Sequence, residues 1–215
     1  MQPSTFITVE GGEGVGKSTF ISSLVSSLEA RGLKVRRTFE PGGTEVANRI
    51  RELFVNPPAG EALTIQAEFC LVSAARAQHV HGVIRPSLAR GEWIVCDRFS
   101  DSSRIYQGVL GGIDAVTIED IIQFSTKGLK PDLTFLLDCD ARVSMQRLAL
   151  RAQASTAASR FDRQSQDYHE RIRQGFLKLA EREPQRFCLV DASLSAQAMI
   201  EYAMAELRKR FGGSV

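Results

Sequence analysis

The residues with the most chemistry in this chain are Gly11-Gly12-Glu13-Gly14-Val15-Gly16-Lys17-Ser18-Thr19. A glycine, four residues and then Gly-Lys-Ser is the spacing of a phosphate loop. Glycines let backbone N–H groups turn inward around an oxyanion with no Cβ in the way. Lys17 supplies a flexible cation for the outer phosphates, and Ser18 supplies a hydroxyl for Mg²⁺. The context fits as well. The apolar run Phe6-Ile7-Thr8-Val9 precedes the loop, and an amphipathic segment follows it. The positive end of that second segment would point at the same phosphates. A nucleoside-triphosphate site is expected here; the alternative is a Gly-rich turn that matches by chance.

The elements that must position this loop alternate along the chain. Phe20, Ile21, Leu24, Val25 and Leu28 recur at spacings of three and four, which predicts a helix from about Lys17 to Ala30. Strands are expected over Thr5–Val9, Lys34–Phe39, Glu92–Asp97, Leu133–Leu137 and Arg186–Val190. Thr44 is placed to cap a helix running to about Val55, and Asn56-Pro57-Pro58-Ala59-Gly60 ends it. A long helical segment spans Thr64 to Ala89, with a kink or interruption expected at Pro86. Gly108–Gly112 reads as a flexible loop, and helices are expected over 114–125, 141–152, 167–183 and 195–210. Strands alternating with helices predict a three-layer α/β fold around a five-stranded parallel sheet. Its ligand is expected at the carboxyl ends of the strands. Those ends carry the phosphate loop, Glu40–Thr44, Asp97–Arg98, Asp138–Asp140 and Asp191–Ala192.

Bulk properties narrow the class. A chain of 215 residues with 43% hydrophobic and 24% charged residues is expected to form one globular domain, 1–215, with an inserted lid. A net charge of +2 points to neither nucleic acid nor membrane as a partner. No apolar run approaches the roughly 18 residues of a membrane span, and no signal-peptide pattern opens the sequence. Cys70, Cys96, Cys139 and Cys188 lack CxxC spacing and read as reduced thiols of a cytoplasmic protein. His79, His81 and His169 have no metal-ligand spacing and are expected at the surface or partly satisfied.

Four stretches together carry a resemblance. They are Glu10-Gly11-Gly12-Glu13-Gly14-Val15-Gly16-Lys17-Ser18, Glu40-Pro41-Gly42-Gly43-Thr44, Ala74-Ala75-Arg76, and the run Asp97-Arg98-Phe99-Ser100-Asp101-Ser102-Ser103-Arg104-Ile105-Tyr106-Gln107-Gly108. In order and separation they resemble the bacterial thymidylate kinases, nucleoside monophosphate kinases of the P-loop superfamily that phosphorylate dTMP with ATP. Arg160-Phe161-Asp162 followed by Tyr168-His169-Glu170 looks like the family's lid, which would span about 147–163, and the helix after it. The phosphate loop alone is generic. The Asp-Arg…Ser-Ser…Tyr-Gln-Gly run is the specific part, and the likeness spans nearly the whole chain.

The resemblance implies a role for each residue. Gly11 to Thr19 would hold ATP, with Arg147 stacking on adenine and Ala192 lending backbone beside it. Arg98 and Arg51 would bind the dTMP phosphate, a task suited to the paired N–H donors of a guanidinium. An exposed helix arginine is the plain alternative for Arg51. Asp97 is placed like the Walker-B acid that holds a magnesium-bound water, with Ser18 and Asp162 as the other metal candidates. Glu13 would meet the sugar 3′-hydroxyl or a metal-bound water, and Glu40 would orient Arg98 or that water. Arg76 would donate to O4 of thymine, which disfavours cytosine with its own donor there. Ser102, Ser103 and Gln107 would complete acceptor recognition, and Tyr106 would exclude a 2′-hydroxyl.

Two departures stand out. Relatives commonly carry an aromatic residue where this chain has Val72, so either Val72 or Phe69 would cover the base. Phe39 stands where relatives often have arginine, which removes a possible phosphate contact. The loop itself carries no arginine, so the transition-state cation is expected from the lid, with Arg151 and Arg160 as candidates. Homodimerisation through helices flanking the sheet is also implied. The rival readings are another nucleoside monophosphate or deoxynucleoside kinase, and a nucleotide-binding switch or partner module without kinase activity. The sequence contains no Asn-Lys-x-Asp guanine signature, which counts against a GTPase.

Overall fold

The computed structural model describes residues 4–154, 161–162 and 164–212. Five strands, β1 (Phe6–Glu10), β2 (Val35–Phe39), β3 (Trp93–Asp97), β4 (Leu133–Asp138) and β5 (Phe187–Asp191), form one parallel sheet in the order β2-β3-β1-β4-β5. Every residue of β1 is buried, and β3 and β4 are buried up to their terminal aspartates. Their apolar runs are those of strands covered on both faces. The β4–β5 register pairs Asp138 with Asp191, so two acids end these strands side by side.

The chain divides into two compact units, each discontinuous in sequence. The first holds residues 4–8 and 36–132. Its helices are α2 (Glu45–Val55), α3 (Ile65–His79), α4 (Arg85–Ala89), α5 (Ser100–Ser103) and α6 (Ala115–Thr126). Thr44, Thr64 and Asp114 cap α2, α3 and α6 by accepting from the N–H three residues on. Phe6, Val80, Ile84, Ile94, Cys96 and Phe99 form its core cluster. Within it the Phe6 and Phe99 rings meet edge to face with centroids 5.0 Å apart.

One expectation about this unit is met in an unexpected form and another needs correction. The segment from Thr64 to Ala89 is interrupted next to Pro86, but it does not end there. It passes from α3 into α4 through a π-helical turn, Val80–Ile84, in which the Arg85 N–H reaches back to Val80 O. Pro86 lacks an N–H and would crowd the carbonyl four residues back, and the widened turn accommodates it. The stretch expected as a loop from Gly108 is wound as well. A π-helical segment, Arg104–Leu110, continues α5, and the Gly111 N–H donates to Tyr106 O at 3.0 Å.

The second unit holds residues 9–35 and the described residues after 132. Its helices are α7 (Ala141–Ala154), α8 (Gln166–Arg182) and α9 (Ala196–Phe211), together with α1 (Lys17–Glu29). Phe20, Ile21, Leu24 and Leu28 form the buried face of α1, as their spacing predicts, and α1 packs on α9. Met199, Ala203 and Leu207 are buried on α9. Phe20 meets Phe135 of β4 with centroids 5.5 Å apart and planes at 66°. Phe135 is fully buried, so Phe135→Ala should destabilise the protein by about 3–5 kcal/mol in chemical denaturation. A loss under about 1 kcal/mol would show that this contact does not anchor the unit.

Candidate active site

In the second unit the phosphate loop leads from β1 into α1. Gly16, at φ 96°, occupies the cap position of α1, no side chain caps the helix, and no acid lies in its first turn. The first-turn N–H groups therefore keep their anion-binding character. Lys17 Nζ donates to Gly11 O (3.1 Å) and Gly12 O (2.5 Å), which holds the amine over the loop. Gly14 has φ 75°, and a Cβ there would run into Ser144 O and Leu148 of α7. The loop is thus moulded against α7, the helix that carries Arg147 and Arg151.

Glu13 lies against His169 of α8, with a carboxylate oxygen 3.8 Å from Nδ1; His169 is buried and Glu13 partly so. His169 is not at the surface, because the buried stripe of α8 runs through it with Ile172 and Phe176. Arg173, one turn further on, clamps Asp138 through Nε (2.8 Å) and Nη2 (3.0 Å), and this pairing raises the Arg173 pKa. Glu13, Asp138, His169 and Arg173 line one small cavity beside the loop. The Ala192 N–H is engaged in the sheet, donating to Asp138 O at 2.8 Å. Arg151 pairs with Asp162 at 2.7 Å, so that carboxylate is occupied by a guanidinium. Arg147 is half-buried on α7. Arg160 lies outside the described residues.

The first unit gathers the other candidates. The Glu40 N–H donates to Asp97 O at 2.9 Å, so the ends of β2 and β3 stand side by side. Glu40 is 4% exposed, and its carboxylate is shared. Oε2 accepts from Arg76 Nε at 2.8 Å, and Oε1 lies 3.0 Å from His79 Nδ1. Arg76 is 2% exposed and donates through Nη2 to Ser103 Oγ (2.9 Å) and Phe99 O (3.3 Å). Its Nη1 makes no hydrogen bond. Phe69, Val72 and Arg76 are all buried on α3, and Gln107 is buried nearby in sequence to Ser103.

Arg98 adopts φ 67°, which is uncommon for a residue with a side chain and marks local strain at the strand end. Its guanidinium sits 5.3 Å from the Tyr106 ring centroid and donates to Ser102 Oγ at 3.2 Å. Arg51 donates to Pro41 O at 3.0 Å and stacks on Phe39 at 5.3 Å. Phe39 brings no cation of its own, but it holds one. Burial lowers the Arg51 pKa, with Asp97 opposing that shift and Arg98 adding to it. These influences show that Arg51, Asp97 and Arg98 share one electrostatic neighbourhood. Asp97 Oδ1 is buried and makes no hydrogen bond.

The thymidylate kinase family profile matches residues 9–201. The chain belongs to the thymidylate kinase family. It is 43% identical to a thymidylate kinase of Chromohalobacter salexigens over 98% of both chains. It is 44% identical to that of Pseudomonas putida over 90% of both. Its fold is similar to the crystal structure of thymidylate kinase from Ehrlichia chaffeensis, with a TM-score of 0.77, 28% identity, and coverage of 95% of this chain and 98% of that one.

Several site residues went unread in the sequence. His79 is fully buried beside Glu40; its position three residues after Arg76, on the same helix face, was the available signal. Arg104 joins Asp101 (2.8 Å) to Glu119 (2.6 Å), tying the Arg98–Gln107 segment to α6, and only the fold brings Glu119 to the other two. Asp138 was placed at the site, but its partner Arg173 lies 35 residues away. Because Gly14 presses on α7, Gly14→Ala should weaken ATP binding at least tenfold, about 1.4 kcal/mol, by calorimetry. Unchanged affinity would show that the loop does not depend on that contact.

Proposed function

We propose that the chain transfers the γ-phosphoryl group of ATP to the phosphate of dTMP, giving ADP and dTDP. An oxygen of the dTMP phosphate attacks the γ-phosphorus in line, and the bond from that phosphorus to the β,γ-bridging oxygen breaks. Little proton chemistry is needed, so positioning and charge neutralisation carry the catalysis. The observation that supports this reading best is Arg76. A buried guanidinium, paired with Glu40, keeps Nη1 without a hydrogen bond among the described residues. That donor suits the 4-oxo group of thymine and opposes the 4-amino group of cytosine. Val72, Phe69 and Gln107 would enclose the base, Tyr106 the sugar, and Arg98 with Arg51 the acceptor phosphate.

On the donor side, Gly11–Thr19 would wrap the ATP phosphates and Lys17 would follow the outer ones. Arg147 and the Ala192 backbone would border adenine, with the Ala192 N–H already engaged by β4. In this reading Mg²⁺, a cation that takes oxygen ligands and keeps several waters, accompanies ATP. Asp97 offers a buried carboxylate oxygen without a hydrogen bond, and Ser18 offers a hydroxyl. When bound, the ion would neutralise phosphate charge. Asp162 serves the lid through Arg151 in this reading, and Arg151 and Arg160 are the two candidates for the transition-state cation.

No helix among the described residues is long and apolar enough to cross a membrane. The four free thiols support a cytoplasmic setting. Exposed Val116 and Phe124 on α6 support a homodimer, which light scattering at the mass of one chain would refute.

A coupled assay with dTMP, dUMP, dCMP and thymidine should find dTMP the best acceptor; a better alternative would overturn the substrate. Arg98→Ala should lower kcat/KM for dTMP on the order of 100-fold, from loss of a charged hydrogen-bonded clamp. Retained activity would remove Arg98 from the phosphate site. Arg151→Ala and Arg160→Ala should together lower kcat on the order of 1000-fold. A loss under about tenfold would place the transition-state cation elsewhere.

A further inference from the structure

Glu40 has two carboxylate oxygens and two cationic or donor partners, and the geometry allots one oxygen to each. Arg76 Nε takes Oε2 at 2.8 Å, and His79 Nδ1 takes Oε1 at 3.0 Å. The other ring nitrogen, Nε2, lies 2.7 Å from Thr38 Oγ1. Thr38, Glu40, Arg76 and His79 are all at least nine-tenths buried. The ring is also enclosed from the side, because a Cβ on Gly43 would collide with it.

A carboxylate only accepts hydrogen bonds, so Nδ1 must carry the ring proton. In the neutral ring Nε2 is then an acceptor, and the Thr38 hydroxyl donates to it. Glu40 fixes the tautomer, Thr38 steadies the ring through its other nitrogen, and His79 in turn holds the Glu40 carboxylate that pairs with Arg76.

We propose that His79 is a positioning residue for recognition of the acceptor base. By occupying Oε1, it keeps Glu40 on Arg76 through Nε alone, and so leaves Nη1 directed to the 4-oxo group of the pyrimidine. This rests on the dTMP reading above. Without the ring, Oε1 is free to take a second guanidinium N–H. The favoured side-on pairing of carboxylate with Nε and Nη2 would then draw Nη2 from Ser103 and Phe99 O. The guanidinium would turn, and Nη1 would leave the base. The consequence is a loss of acceptor affinity and of discrimination between 4-oxo and 4-amino pyrimidines. Phosphate transfer in the bound complex and ATP binding would be affected far less.

Steady-state kinetics on the purified protein test this. His79→Leu should raise KM for dTMP about 10–100-fold, with kcat and KM for ATP changed by less than about threefold. The preference for dTMP over dCMP in kcat/KM should fall about tenfold or more. His79→Asn, which keeps an N–H near the Nδ1 position, should recover most of the dTMP affinity. A parallel rise in both KM values, or no recovery with asparagine, would make His79 a merely structural residue and overturn the proposal. Should His79→Leu not fold, Thr38→Val provides the same split in milder form, and an unchanged KM for dTMP there overturns it. Nitrogen-15 spectra of the wild-type imidazole should show a proton on Nδ1, and a bare Nδ1 overturns the proposal independently of turnover. Wild-type protein inactive on dTMP would overturn the substrate reading and this inference together. Wild-type activity with an unchanged KM in His79→Leu would overturn this inference alone.

Discussion

The first unit depends on one buried carboxylate. Removing an ion from water costs several kcal/mol unless its partners are well placed, and Glu40 meets that condition twice, at Arg76 and at His79. Arg76 could not remain buried without it. The same residue sets the local register, since the Glu40 N–H bonds to Asp97 O at the end of the neighbouring strand. Asp97 and Arg98 therefore leave β3 beside Glu40. The strained φ of Arg98 then sends its guanidinium over Tyr106.

The second unit is built on a different principle. Its loop offers backbone N–H groups with neither a capping side chain nor a first-turn acid to compete for them. Several charged side chains around it meet within the unit: Glu13 lies 3.8 Å from His169, Asp138 is clamped by Arg173, and Asp162 holds Arg151. Phe39 provides a surface on which Arg51 stacks, and Val72 is buried on the helix face that carries Arg76.

Much of this was legible in the residues. Alternating apolar runs yielded all five strands, and Thr44 and Asp114 marked helix starts that the structure keeps. The helical interruption near Pro86 was legible, but its form was not. Whether a helix breaks or widens depends on what packs against it, and Val80 and Ile84 of the wide turn belong to the core cluster. Gly108 suggested a loop for the same local reason and was overridden by helix winding continued from α5.

The sequence by itself determined the chemistry of the phosphate loop, the strand-helix alternation and the family, because glycine spacing and hydrophobic period are local properties of the chain. Only the tertiary structure decided which charges meet. His79 was an unremarkable histidine on a helix until β2 brought Thr38 and Glu40 to its two nitrogens, 41 and 39 residues away in the chain. Arg173 became the partner of Asp138 only through the packing of α8. Hydrogen bonds and ion pairs are short-ranged and directional, so partners distant in sequence are fixed by the fold rather than by any pattern along the chain.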